Sequence, residues 1–180
     1  PPDFHFVPVG NAGNYTAYHR GYTEELAISA TTRMPRMFGF QAAGSAPMVL
    51  GHVVKDPDTI ASAIRIGNPA SWELALKAQA DSDGYFGSIT DDKILEAHRI
   101  LSAEVGIFVE PASAISVAGL LERAEAGEIP KGSTVVLTVT GHGLKDPQWA
   151  LRTADGSEVQ PTIVSVDTDE VAGVLGLVRA

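Results

Sequence analysis

Val7-Pro8-Val9-Gly10-Asn11-Ala12-Gly13-Asn14 is the stretch that decides the fold. An apolar strand ends at Val9, and two glycines and two asparagines then lead into a helical stretch. That order brings several backbone N–H groups to a helix N-terminus, where they can hold a phosphate. No lysine or arginine lies inside the loop, so the backbone itself would do the binding. Taken alone, such a run is more often a turn than an anion cradle. Its surroundings therefore carry the argument.

Outward from the loop, short apolar runs alternate with longer helical segments. This is the pattern of an α/β protein with a mostly parallel open sheet and helices on both faces. Residues 5–9 read as the first strand, and residues 14–30 as a helix with Tyr18, Tyr22 and Leu26 at four-residue spacing on one face. Residues 38–41 read as a second strand, with a short helix from about residue 46. A helix follows over 71–80 with Ser71 as its cap. Thr90 caps another, with Asp91 and Asp92 at its positive start and Lys93 where a capping-box acid would stand; Gly106 ends it. Residues 107–109 read as a buried strand, and 114–126 as a helix closed by Gly127. The stretch 133–139, with Val135, Val136, Leu137 and Val139, suits a strand covered on both faces. After Pro147 the texture changes. Residues 149–154 read as the end of a helix, Asp155-Gly156 as a turn, 163–166 as a strand and 169–177 as a short helix.

Composition narrows the function. Hydrophobic residues make up 44% of the 180, enough for a sizeable core and against disorder. Acidic residues outnumber basic ones 22 to 13, for a net charge of -9, and no basic patch is interleaved with aromatics, so a nucleic-acid partner is disfavoured. No apolar run approaches the roughly 20 residues that span a membrane. With no cysteine there is neither a disulfide framework nor thiolate chemistry. His5, His19, His52 and His98 show no metal-ligand spacing, so no metal site is expected. Pro1-Pro2-Asp3 leads straight into a strand without an initiator methionine, so a piece of a longer polypeptide is expected.

Four segments are placed to carry chemistry: 10–14, 65–72, 110–114 and 140–146. Three of them directly follow an expected strand, so parallel strands would put them on one rim, where open α/β sheets bind ligands. Arg65 reads as a surface arginine before it reads as a bidentate phosphate clamp. Asn68-Pro69 is a helix-start loop first and site lining second. Glu110 follows three apolar residues, so it is expected to be partly buried and in need of partners, facing the site or capping the next helix. Ser113 reads as a helix-start residue. His142, between two glycines, is an acid/base candidate, but backbone freedom is the favoured reason for that pattern. Trp72 and Trp149 read as packing residues, and Asp91-Asp92 as a helix start rather than a catalytic dyad.

Together the loop at 10–14, Arg36-Met37-Phe38-Gly39-Phe40-Gln41-Ala42-Ala43-Gly44, Arg65-Ile66-Gly67-Asn68-Pro69-Ala70-Ser71-Trp72, Glu110-Pro111-Ala112-Ser113-Ala114 and Thr140-Gly141-His142-Gly143-Leu144-Lys145-Asp146-Pro147 resemble the threonine synthase family. Their order and spacing are more specific than any one of them, and the resemblance covers most of residues 1–147. It implies a tryptophan-synthase-β-like fold of type II, here incomplete, and pyridoxal 5'-phosphate as cofactor. It implies that Gly10, Asn11, Ala12, Gly13 and Asn14 cradle the cofactor phosphate and that the Thr140 hydroxyl meets the pyridine nitrogen. A neutral hydroxyl there suits elimination and replacement rather than transamination. In the family the lysine that forms the Schiff base lies upstream of the glycine loop, and Lys55, Lys77, Lys93, Lys131 and Lys145 do not match it. No catalytic residue is therefore expected in this chain, and alone it is expected to be inactive.

On the resemblance, residues 1–150 are the C-terminal part of the large cofactor-binding domain and 151–180 a strand–helix appendage. The implied reaction converts O-phospho-L-homoserine and water to L-threonine and phosphate, a carbon–oxygen lyase step in threonine biosynthesis. The implied setting is a cytoplasmic homodimer with no nucleic-acid or membrane partner. Two alternatives stand beside this reading: a threonine or serine dehydratase of the same fold, and a non-catalytic phosphate- or nucleotide-binding module. Against the second, the loop is not Gly-x-Gly-x-x-Gly, and no acidic residue obviously serves a ribose.

Overall fold

The structure, a computed structural model, describes residues 1–152 and 157–177. Four strands, β1 (Phe4–Pro8), β2 (Arg36–Ala42), β3 (Tyr85–Ile89) and β4 (Val135–Leu137), form one sheet in the order β3-β2-β1-β4, and every neighbouring pair is parallel. Alternation along β1 and β2 explains the two cores. Successive side chains leave a strand on opposite faces. Phe4, Phe6, Phe38 and Phe40 fall on one face and pack with α4 (Asp91–Ile100) and α5 (Pro111–Glu125). Val7, Val9 and Met37 fall on the other and pack with α1 (Gly13–Ala27) and α3 (Trp72–Asp81). The Phe6 and Phe40 rings stack with centroids 5.6 Å apart. Phe40 also fills the space left by Gly119 of α5, where a Cβ would come within 2.6 Å of the ring.

Several elements differ from expectation. The sequence pattern does not predict β3, because Gly87 and Ser88 interrupt its alternation; Tyr85 and Ile89 nevertheless pack with the phenylalanine core and Phe86 with the other. Residues 107–109 are no sheet strand. The α4 helix passes through a single π turn over Leu101–Val105, Gly106 takes φ 73°, and Ile107 donates back to Leu101 O, which leaves only an isolated antiparallel bridge from Val109 to His142. Thr90 and Ser71 stand at cap positions without a side-chain cap bond. In α1 the buried ring is Tyr15, whereas Tyr18 and Leu26 are partly exposed. The short helix near residue 46 is a 3-10 turn, Ala43–Ser45, followed by α2 (Pro47–Leu50).

The chain divides into two compact units, Pro1–Asp146 and Pro147–Ala180. The second has a 3-10 turn at Pro147–Trp149, the Arg152 guanidinium 4.9 Å from the Trp149 ring centre, and α6 (Thr168–Val174). The Asp167 side chain caps α6 by accepting from Asp169 N and Glu170 N. No strand forms over 163–166, where Ile163 and Val166 are fully exposed and have no sheet to join. The turn expected at Asp155-Gly156, and the last two residues of 149–154, lie outside the described residues. No described helix is long and apolar enough to cross a membrane.

Candidate functional site

The loop after β1 is built as a set of donors. Ala12 takes the left-handed conformation at φ 62°, and α1 starts abruptly at Gly13. Both asparagine side chains make internal hydrogen bonds. Asn14 Nδ2 donates to Pro8 O at 2.9 Å while its Oδ1 accepts from Tyr15 N, so it fastens the strand end to the first helical turn. Asn11 Oδ1 accepts from Ala70 N at 3.2 Å, and Asn11 O accepts from Ser71 N, which pins the loop before α3. The first N–H groups of a helix have no partner inside it. Among the described residues, those of Gly13 and Asn14 find no backbone acceptor. Gly10 lies flat against residues 63–66, where a Cβ would meet Ala63 O and Ile66 Cδ1 at 3.1 Å. At Gly13 a Cβ would meet nothing within 4 Å.

This loop lines an open cleft of about 420 Å³ together with Glu110, Thr140, Gly141 and Lys145. The segment after β4 is clipped to the first turns of α5 by two serines. Ser116 Oγ donates to Thr138 O at 2.9 Å. Ser113 Oγ accepts from Thr140 N at 3.0 Å and from Gly141 N at 2.7 Å, and lies 2.7 Å from Thr140 Oγ1. Glu110, at the start of α5, is 2% exposed. Its Oε1 accepts from Lys145 Nζ at 3.1 Å; Oε2 is 3.0 Å from the same nitrogen but is not aligned for a hydrogen bond. Glu110 N also donates to Gly141 O. A Cβ on Gly141 would stand 1.9 Å from Glu110 Oε1, so only glycine lets this backbone pass the buried carboxylate.

Beneath the cleft lining, His5 of β1 links α1 to the segment after β4. Its Nε2 is 2.8 Å from Thr138 Oγ1 and its Nδ1 is 3.2 Å from the Tyr22 hydroxyl on α1. Burial holds its pKa below the ordinary histidine value.

The other candidates fall outside the cleft lining. Arg65 is exposed, and its Nε and Nη2 both donate to Thr59 O, at 2.9 and 2.6 Å. His142 Nδ1 accepts from Leu144 N, capping the turn Gly143–Lys145, and its ring meets Phe108 edge-on. Asp91 acts in loop anchoring, accepting from Thr59 Oγ1 and Ile60 N, while Ser62 Oγ donates to Asp146 Oδ2. Ser113 is more than a helix-start residue, since it organises Thr140 and Gly141. The Lys145–Glu110 pair spans 35 positions, and no spacing rule could have found it. Among the described residues no cluster of His, Asp and Glu could hold a metal ion.

Comparison with known proteins bears on this site. The profile of the pyridoxal-phosphate dependent enzyme family matches residues 1–141. Threonine synthase of Mycobacterium leprae is 54% identical over 177 residues, covering 98% of this chain and 48% of that protein. Threonine synthase of Synechocystis is 50% identical over 97% of this chain and 45% of its own length, and that of Methanocaldococcus jannaschii 41% identical over 97% and 44%. The chain thus spans about half the length of the curated relatives it matches. Among solved structures, a threonine deaminase from T.th. superposes with a TM-score of 0.57 at 23% identity, over 79% of this chain and 46% of that one. L-serine ammonia-lyase from Rhizomucor miehei superposes with a TM-score of 0.62 at 18% identity, over 83% and 50%. At such identities the structural likeness speaks for the fold alone.

Proposed function

The chain belongs to the family of pyridoxal-phosphate dependent enzymes, and from that premise we propose that it is the C-terminal part of a threonine synthase, converting O-phospho-L-homoserine and water to L-threonine and phosphate. The observation that carries this reading is convergence. Unpaired N–H groups at a helix start and a hydroxyl held by a buried serine line one cleft. Identity of about half to relatives named threonine synthase supports it, against 18–23% to the ammonia-releasing enzymes of the same fold.

The residues present fit the cofactor. In our reading the backbone of Gly10, Asn11, Ala12, Gly13 and Asn14 holds its phosphate without a cation, and the open space beside Gly13 leaves room for the phosphate oxygens. Thr140 meets the pyridine nitrogen through its hydroxyl. When bound, the cofactor withdraws electrons from the substrate's carbon framework, the chemistry that loss of phosphate and addition of water require. A neutral group at the ring nitrogen moderates that withdrawal and favours replacement over transamination. Lys145 holds the Glu110 carboxylate, so this acid is engaged and does not approach the ring nitrogen as a free partner. The reactive lysine is taken to lie outside residues 1–180, since the one lysine lining the cleft is committed to Glu110. We assign residues 1–150 to the large cofactor domain and 151–180 to an appendage. We take the whole enzyme to be a cytoplasmic homodimer whose partner is this small phosphorylated amino acid.

The test uses the full-length protein. With pyridoxal phosphate it should turn yellow, and with O-phospho-L-homoserine it should release phosphate and threonine in equal amounts. Ammonia and a keto acid from threonine or serine, with no reaction on the phosphorylated substrate, would establish a dehydratase instead. A colourless protein that binds nucleotides would refute the enzyme reading altogether.

A further inference from the structure

We propose that Ser113 is a positioning residue that donates to the Thr140 hydroxyl oxygen and so leaves the Thr140 hydrogen free to be given to the ring nitrogen, which accepts it. The proposal rests on the assignment of Thr140 to that nitrogen. It follows from counting protons and lone pairs. A hydroxyl has one hydrogen to donate and two lone pairs with which to accept. Ser113 Oγ accepts from Thr140 N at 3.0 Å and from Gly141 N at 2.7 Å, which occupies both lone pairs. Its own hydrogen has two reachable acceptors, Thr140 Oγ1 at 2.7 Å and Gly141 O at 3.3 Å. Gly141 O already accepts from Glu110 N at 3.0 Å, and the shorter contact wins. The Ser113 proton therefore goes to Thr140.

The reverse arrangement fails. If Thr140 donated to Ser113, Ser113 Oγ would have to accept three hydrogens with two lone pairs. Ser113 is fully buried, so no solvent can substitute for a misdirected partner. Thr140 lies at the cleft, and its hydrogen, excluded from the serine, is free to be donated there. Two backbone N–H groups thus impose a direction on a chain of two hydroxyls. An unprotonated pyridine nitrogen ends that chain by accepting the Thr140 hydrogen, whereas a pyridinium N–H would have to take the remaining Thr140 lone pair and leave that hydrogen to solvent.

The experiment loads the full-length protein with pyridoxal 5'-phosphate labelled with 15N in the ring and records the nitrogen chemical shift by NMR, alongside the cofactor dissociation constant. In the wild type the shift should be that of an unprotonated, hydrogen-bonded pyridine. In Ser113→Ala it should move toward an unbonded pyridine, with affinity weakened roughly tenfold, the scale of one hydrogen bond. Ser113→Cys, which fills the volume with a weak acceptor, should do the same if the alanine variant folds poorly. Ser113→Thr should restore the wild-type shift. Because Ser113 acts through Thr140, the double variant Ser113→Ala/Thr140→Ala should bind no more weakly than Thr140→Ala. A protonated ring nitrogen in the wild type, an unchanged shift and affinity in both the alanine and cysteine variants, or additive losses in the double variant would each overturn the proposal. A wild type that takes up no cofactor removes the reading of Thr140 as well; uptake with indifferent Ser113 variants removes only this inference.

Discussion

Replacing Gly141 with alanine places a methyl group 1.9 Å from Glu110 Oε1 and 2.4 Å from its Cδ. An exposed glutamate would swing aside. Glu110 is 2% exposed, and its carboxylate is held by Lys145 Nζ at 3.0–3.1 Å, so something must be given up. If the carboxylate leaves Lys145, a hydrogen bond to a charged group worth about 1.5–3 kcal/mol is lost. Because the Lys145 side chain is 59% exposed and can be solvated, that loss falls to about 1–2 kcal/mol. If the backbone retreats instead, the bonds from Gly141 N to Ser113 Oγ and from Glu110 N to Gly141 O weaken, at about 0.5–1.5 kcal/mol each. Both routes lead to about 2 kcal/mol of lost stability. The assay is urea and thermal unfolding of the full-length protein freed of its cofactor, with Gly13→Ala as control. No atom lies within 4 Å of a Cβ at Gly13, so that variant should stay within about 0.5 kcal/mol of wild type. Adding Glu110→Ala to Gly141→Ala removes the obstruction, so the two losses should be less than additive. A Gly141→Ala protein as stable as wild type, or strictly additive losses in the double variant, would refute the reasoning.

Gly119→Ala pushes a carbon to 2.6 Å from the Phe40 ring and should cost about 1–3 kcal/mol, relieved by Phe40→Leu, as read from denaturant midpoints. Asn11→Ala frees the Ala70 amide, so that amide should exchange faster in deuterium-exchange experiments and about 1 kcal/mol of stability should be lost. Burial lowers the pKa of both His5 and His98 from the ordinary value of 6.5, so the unfolded chain binds protons first as pH falls. Their contribution to stability is therefore present above pH 6.5 and declines as pH drops from there toward the folded-state pKa values. His5→Gln should flatten that decline in unfolding experiments run across the acidic range, and an unchanged slope would contradict it.

The strand–loop–helix unit at 4–27 is legible because its signals are local: an apolar run, two glycines, then helical spacing. β1, β2 and β4 are likewise visible as apolar runs. β3 is not, since a strand containing Gly87 and Ser88 exists only because β2 offers it a ladder and both cores accept Tyr85, Phe86 and Ile89. Residues 107–109 show the converse: the run is apolar enough for a strand, but the π turn before it directs the backbone away from the sheet. At the site, the glycine loop and Thr140 are marked by their motifs. The duties of Ser113 and Lys145 are hidden because their partners lie 27 to 35 positions away.

By itself the sequence determined the α/β class, the position of the backbone donor loop and the family likeness. These depend on residue type and short spacing, and the propensities behind them act within a few residues. Only the tertiary structure decided that the Ser113 and Thr140 hydroxyls meet, why position 141 must be glycine, and that Lys145 is tied to a buried acid. Those facts depend on which groups are brought within hydrogen-bond range and shut off from water, which is settled when α5 packs on the sheet and carries Ser113 and Glu110 against the segment that follows β4.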